Sequence, residues 1–399
     1  MRIGIFTDQY FPTVSGVVTS IETLADGLRA RGHIVYIITS LDLRNIKKEE
    51  LEILKAKGEY FINVPGFHYP FKKLRGYRFI NIKKEYIKRI ALLKLDVIHV
   101  PTEFSMARLA IKCSKELNIP MVHTFHTLFD EYLSYVSGFF TRLFPKMMHN
   151  ILVNRFLRPV SRQSLIEIVP TKKVYDQRYH YKLGINEDVR IIPTGINLDA
   201  FLESKRQASL VSKYQLQNKF VYLFVGRISE EKRISNIITA YKKVANANNR
   251  LLIVGDGPEL SKLRKLTLEL ELKENVIFTG FIEWKNISSY YALGDVFLCD
   301  SVSETQGLTY LEALASGLPL LVRKDDCLLN LLINDYNGIA YEKENELIAY
   351  MKNLETDKNK LLSLKRNTKK STIQYTDNIF VENIIKVYED VIKKIMIYH

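Results

Sequence analysis

Cysteine is scarce in this chain. Cys113, Cys299 and Cys327 are the only three in 399 residues, and they lie far apart. With no CxxC pair and no Cys/His cluster, a disulfide framework and a structural zinc site are both excluded. Such thiols suit a reducing cytoplasm. Long apolar runs are also missing, and nothing approaches the roughly 18 residues that a membrane span needs. The opening "MRIGIFTDQYFP" passes from a short apolar run straight into polar residues, so no signal peptide is expected. Short-period repeats and low-complexity tracts are absent too.

What remains is a globular composition, 47% hydrophobic and 26% charged, in a chain too long for one small core. Two domains are the natural expectation. The formal net charge is +14, and its distribution is uneven. Residues 1–195 carry 30 Lys/Arg against 18 Asp/Glu, whereas the remainder carries 28 against 26. Codon bias toward Lys would load both halves alike, so the first half has its own reason to be basic.

Short Val/Ile/Leu-rich runs alternate with helical periods in both halves. The first half offers "RIGIFT" (2–7), "IVYIIT" (34–39), "YFINV" (60–64), "DVIHV" (96–100), "PMVHTF" (120–125), "IEIVP" (166–170) and "VRIIP" (189–193). The second offers "FVYLFVG" (220–226), "RLLIVG" (250–255), "NVIFTG" (275–280), "DVFLCD" (295–300), "PLLV" (319–322) and "GIAY" (338–341). Near-continuous apolar strands are those buried on both faces of a parallel sheet. Helical segments at 17–31, 103–117, 234–247 and 258–271 supply the crossovers. The expected architecture is α/β: two doubly wound, Rossmann-like domains, 1–195 and 196–376, with the break in the polar stretch 194–219. An amphipathic helix at 377–399 is expected to pack back on the first domain. Ligands of such sheets bind beyond the carboxyl ends of the strands. That points to Ser15–Gly16, the Glu103 region and His126 in the first half. In the second it points to Arg227, Gly255–Gly257, Gly280–Phe281 and Glu304.

In "VGRISEEKRI" (225–234), Arg227 and Lys232 stand five apart across a turn into a helix. Both cations and the helix N-terminus suit one anion, a diphosphate above all. The plain alternative is a solvated helix start with Glu230 and Glu231 as partners. In "IVGDGPE" (253–259), Gly255 and Gly257 allow close backbone approach to a ligand, or simply a tight turn with Pro258 opening a helix. The stretch "DSVSETQGLTYLEALASGLPLLV" (300–322) sets Glu304 before a small-residue helix and Glu312 inside it. Eight helical residues span about 12 Å with an offset near 80°. That is the reach from a sugar ring, past a diphosphate, to a ribose. Carboxylates accept from sugar hydroxyls, and amides near Thr305, Gln306, Gly307 and Leu308 meet phosphates.

Residues 225–234, 253–259, 280–282 and 304–319 together resemble the retaining glycosyltransferases of the GT-B fold, whose signature is Glu-x7-Glu with an upstream G-R-x-x-x-x-K. The likeness runs from Ile3 to near Gly338. It implies two domains facing a cleft, with Glu304 on the donor sugar, Glu312 on the ribose, and Arg227 and Lys232 on the diphosphate. "SGVVTSIETLADGLRARGH" (15–33) resembles the family's glycine turn, placing Gly16 near phosphate and acceptor, although Ser15 replaces the usual first glycine. "HTFHTLFDEY" (123–132) resembles the segment whose histidine faces the donor sugar, here His126. On the residues alone a single strand-end histidine is more often structural. Phe281 and Trp284 are candidates to flank the base. "SETQGLTYLEAL", "HTFHTLFDEY" and "VPTKKVYD" (169–176) look most like the branch that glucosylates diacylglycerol.

The resemblance gives the basic half a role. Residues 67–94 hold Lys72, Lys73, Arg75, Arg78, Lys83, Lys84, Lys88, Arg89 and Lys94 against the single acid Glu85, with aromatics interleaved. Residues 135–163 hold five Arg/Lys, among them Arg142 and Lys146, and no acid; Phe139, Phe140 and Phe144 offer an apolar face. Such stretches suit an anionic bilayer. An ordinary solvated face or a nucleic-acid surface shares the composition; a lipid acceptor favours the membrane, and no nucleic-acid partner is expected. The expected activity is transfer of glucose from UDP-glucose to the 3-hydroxyl of 1,2-diacylglycerol, with retention, by a peripheral enzyme on the cytoplasmic face. No D-x-D follows a strand at the cleft, so the fold demands no metal; Mg²⁺ enters only as an activator. The alternatives are a galactosyl- or mannosyltransferase acting on another lipid, an enzyme extending a polysaccharide, and a sugar-nucleotide-binding regulator without turnover. The base and the hexose are not fixed by the residues.

Overall fold

The computed structural model describes residues 1–13, 15–68, 78–126, 153–180 and 188–398, with only the backbone at 178–180 and 397–398. They form two compact units, Met1–Ile196 with Asp377–His399, and Asn197–Thr376.

Every apolar run named above contains a strand. In the first unit these are β1 (Arg2–Thr7), β2 (Ile34–Thr39), β3 (Phe61–Asn63), β6 (Val97–Val100), β7 (Met121–Thr124), β8 (Ile166–Val169) and β9 (Val189–Ile191). A short antiparallel pair, β4 (Phe67–His68) and β5 (Arg78–Phe79), lies outside this sheet and was not foreseen. The main sheet has the order β3-β2-β1-β6-β7-β8-β9, parallel throughout. Its central strands β6, β7 and β8 are buried along their whole length, as strands covered on both faces must be.

The second unit repeats the plan with β10 (Phe220–Val225), β11 (Asn249–Val254), β12 (Val276–Phe278), β13 (Val296–Cys299), β14 (Leu320–Arg323) and β15 (Gly338–Tyr341). The order is β12-β11-β10-β13-β14-β15, again all parallel. Each sheet therefore reverses its direction of growth once, between β1 and β6 and between β10 and β13. At such a switch point neighbouring crossovers leave on opposite faces and open a crevice at the strands' carboxyl ends.

The C-terminal helix Asp377–Tyr398 belongs to the first unit. Phe380, Val381, Ile384, Val387, Tyr388 and Val391 recur at helical spacing and join one buried core with Ile3, Ile5, Ile21, Leu24 and Leu28. The Tyr388 hydroxyl lies 2.6 Å from His99 Nδ1 in β6, and His99 Nε2 lies 2.7 Å from Thr124 Oγ1. Burial holds His99 down at about 3, hence neutral, and both its nitrogens are satisfied.

Candidate functional site

The switch point of the second unit gathers its charged residues. Cys299 ends β13, and Asp300 follows it, only 2% exposed. Asp300 accepts from the Tyr341 hydroxyl at 2.8 Å and from Asn236 Nδ2 at 2.7 Å, with Arg233 and Arg323 at 3.4 Å. These bonds tie the turn after β13 to β15 and to helix Ile234–Lys242, so the chain leading to Glu304 starts from a fixed point. Glu304 Oε1 accepts a hydrogen bond from Lys232 Nζ, which arrives from the end of the neighbouring β10. Burial alone would lower the Lys232 ammonium; the Glu304 carboxylate outweighs it and holds the group above its ordinary value. Arg227 is exposed and has no ion-pair partner among the described residues. Glu231 accepts from Ser229 Oγ instead of serving it.

Gly307 caps helix Leu308–Ala315 in the left-handed region, φ 74°, and a Cβ there would lie 2.4 Å from the Tyr310 ring. The next turn carries Glu312, 4% exposed, whose Oε2 accepts from the Tyr291 hydroxyl at 2.6 Å. Its Oε1 takes no hydrogen bond among the described residues. Burial pushes the carboxyl up to about 7, with the Tyr291 bond opposing. Gln306 and Gly307 are buried, and Thr305 and Leu308 are half-buried.

At two glycines the neighbouring backbone leaves no room for a side chain. A Cβ at Gly255 would lie 2.0 Å from the Gly226 carbonyl oxygen, and one at Gly257 would lie 2.2 Å from that of Ile228. Both glycines let the turn after β11 pack on the backbone around Arg227. Phe281 is 59% exposed and Trp284 is 50% exposed. Trp284 packs edge-on against Phe201, ring centroids 5.8 Å apart.

At the switch point of the first unit, Asp8 follows β1. It accepts from Thr102 Oγ1 at 2.8 Å and from the amides of Phe104 and Met106 at 3.1 and 3.0 Å, capping helix Ser105–Leu117. Burial pushes its carboxyl up to about 6 despite these bonds. Ser15 caps helix Gly16–Ala30, its Oγ accepting from the Val18 amide at 3.3 Å, and leaves Gly16 exposed at the first position. Three adjacent strands bring Glu103, His123 and Glu167 together, each no more than 1% exposed. His123 lies 3.4 Å from Glu103 Oε1 through Nε2 and 3.2 Å from Glu167 Oε1 through Nδ1. Burial opposes protonation of His123, but the two carboxylates prevail and raise it to about 9. The resulting imidazolium adds to burial in lowering the half-buried His126 to about 4, so His126 is neutral at pH 7. Asp8, His123, Glu167 and Asp300 were not singled out from the sequence. Their signal was a charged or imidazole side chain within, or just after, an otherwise apolar strand.

The family model described as Glycosyltransferase Family 4 matches residues 14–200, and the one described as Glycosyl transferases group 1 matches residues 207–371. The chain is 35% identical to an alpha-monoglucosyldiacylglycerol synthase of Acholeplasma laidlawii, over 99% of this chain and 98% of the relative. It is 37% identical to one of Streptococcus pneumoniae, over 87% and 76% respectively. The chain belongs to the GT-B glycosyltransferases. Among solved structures, this glycosyltransferase shares its fold with Anabaena HepE in complex with UDP-glucose, TM-score 0.74 at 17% identity, covering 98% of this chain and 100% of that one. Sucrose-phosphate synthase from Thermosynechococcus elongatus gives 0.76 at 18% identity, covering 98% and 99%.

The basic surface of this glycosyltransferase is partly in view. In helix Lys84–Ala91, Tyr86, Ile87 and Ile90 are buried, while Lys83, Lys84, Lys88 and Arg89 are exposed. Arg78 must be corrected. Its side chain is 11% exposed, pairs with Asp42 at 3.3 Å and donates to the Gly66 carbonyl, so it is structural and not free for a bilayer. Lys72, Lys73, Arg75, Phe139, Phe140, Arg142, Phe144 and Lys146 lie outside the described residues. Among the described residues no helix is long and apolar enough to cross a membrane, and no cluster of three or more His, Cys, Asp or Glu could hold a metal ion.

Proposed function

We propose that this glycosyltransferase moves glucose from UDP-glucose to the 3-hydroxyl of 1,2-diacylglycerol, keeping the α-anomer, at the cytoplasmic face of an anionic membrane. The observation that carries this is the 35% identity to an alpha-monoglucosyldiacylglycerol synthase over 98% of that relative. The donor assignment draws support from the Anabaena neighbour, solved with UDP-glucose.

The residues divide the work as follows. Arg227 and Lys232 take the diphosphate, whose charge grows as the sugar departs. Lys232 exchanges its Glu304 partner for phosphate, and Glu304 is freed for the sugar hydroxyls. Glu312 offers Oε1 to the ribose. Neutral His126 and Gly16 serve the sugar and the phosphate. The bond from the anomeric carbon to the diphosphate breaks, the acceptor oxygen attacks from the same face, and its proton passes to the leaving phosphate. The exposed cations of residues 83–89 hold the first unit on anionic lipid, at about 1 kcal/mol for each charge near the surface.

The test is product analysis. Purified protein is incubated with radiolabelled UDP-glucose, other nucleotide hexoses, and vesicles of diacylglycerol in anionic lipid. An α-glucosyl diacylglycerol is the expected product. If no donor yields a labelled glycolipid, the proposal falls.

A further inference from the structure

A pocket of ≈ 560 Å³ opens in the first unit between helix Ser105–Leu117 and the segment 154–160. That is a usual size for a small-molecule site. Glu103, Arg108, Arg155 and Phe156 line it, with Ile111 and Val160 among the apolar residues. We propose that this pocket holds the glycerol diester end of the acceptor lipid, with Glu103 accepting a hydrogen bond from its free hydroxyl until that proton passes to the leaving phosphate. The inference rests on the diacylglycerol reading above and adds the place and the residues.

Four observations support it. Glu103 is 1% exposed, and its Oε2 has no hydrogen-bond partner among the described residues. A buried acceptor left open on a pocket wall calls for a donor, and a hydroxyl is one. Its other oxygen faces His123, which Glu167 holds from the far side, so the carboxylate is fixed in place. Arg108 and Arg155 have no ion-pair partner among the described residues, and Arg108 lies over the Phe156 ring at 5.7 Å. Guanidiniums without a carboxylate are donors for ester carbonyls. Ile111, Phe156 and Val160 give the first methylenes of acyl chains an apolar wall. A free hydroxyl, two esters and apolar chains are the groups that a diacylglycerol presents.

The local backbone agrees. Val153–Leu157 is a five-residue π-helical turn running into helix Arg158–Gln163. Such turns are uncommon and gather at functional sites. Glu103 and His126 also follow adjacent central strands, β6 and β7, at the same carboxyl end of the sheet.

The experiment compares wild type with Glu103→Gln and Arg108→Met in mixed micelles, varying the mole fraction of diacylglycerol at saturating UDP-glucose. UDP affinity and thermal melting are measured alongside. The expected result is a lipid KM raised about tenfold or more in each variant, with UDP affinity unchanged. Arg108 is on a helix surface, so Arg108→Met keeps the test alive if Glu103→Gln melts early. A photoreactive diacylglycerol should label residues 111 and 154–160 in the wild type. If the wild type makes glucolipid while both variants keep their lipid KM and the label maps elsewhere, this inference alone is overturned. If the wild type transfers no glucose to diacylglycerol, both the inference and the reading beneath it are overturned.

Discussion

Lys232 Nζ donates to Glu304 Oε1 across the seam between β10 and β13, joining residues 72 positions apart. Their side chains are 22% and 14% exposed, so the pair is largely withdrawn from water. Removing either takes this charge-assisted bond from the other in a half-dry site. Lys232→Ala and Glu304→Ala should each lower kcat by about a hundredfold or more, as the loss of a charge-stabilising group does. The stability cycle is diagnostic. Lys232→Met with Glu304→Gln should melt nearer to wild type than the sum of the single losses, as read by thermal unfolding. Strict additivity would show that the pair does not couple.

Glu312 gives a pH signature. Its folded value of about 7 lies above the ordinary 4.5 because it is buried. The folded state therefore holds a proton that the unfolded state releases. The contribution is full below about pH 4.5 and is lost as pH rises through about 7, on the order of 3 kcal/mol in all. Glu312→Gln keeps an acceptor for the Tyr291 hydroxyl and carries no charge. Denaturant midpoints from pH 5 to 8 should fall for wild type relative to this variant. Parallel curves would refute the assignment. Ribose recognition by the carboxylate also predicts that UDP affinity weakens below pH 7 in wild type and not in the variant.

His123 titrates with the opposite charge and the same sense. Its folded value, raised to about 9 by Glu103 and Glu167, exceeds the ordinary 6.5. The stabilisation is present below about pH 6.5 and lost as pH climbs through about 9. Wild type should lose melting temperature between pH 7 and pH 9.5, and His123→Gln should lose less over the same interval. The variant should also let His126 take a proton nearer to its ordinary value, visible by NMR titration of the imidazole.

Lys83, Lys84, Lys88 and Arg89 form one exposed cationic edge. Their joint change to Glu should release the protein from vesicles rich in anionic lipid and leave UDP affinity unchanged. Wild-type binding should weaken as salt rises and the charges are screened. Vesicle sedimentation unaffected by the four changes would remove the membrane from the proposal. Reversal of Arg78 should behave differently, lowering the melting temperature because Asp42 loses its buried partner.

Burial leaves a local record. A parallel strand covered on both faces must be apolar at successive positions, so each of the thirteen apolar runs named at the outset holds a strand of the two sheets. The antiparallel pair Phe67–His68 with Arg78–Phe79 left no such record, being two residues long and exposed or half-buried. Glu304 and Glu312 were visible through their spacing around one helix. Their environments were not. Strand order decides that the ends of β10 and β13 are neighbours, and hence that Lys232 meets Glu304. Strand order likewise sets His123 between Glu103 and Glu167, and packing alone places Gly255 against Gly226 and Arg78 against Asp42. The sequence by itself determined which segments fold and where charged residues stand along them, because helix and strand periods are short-range. Which charges meet, and which lose their water, only the tertiary structure decided, because those distances run across the sheet.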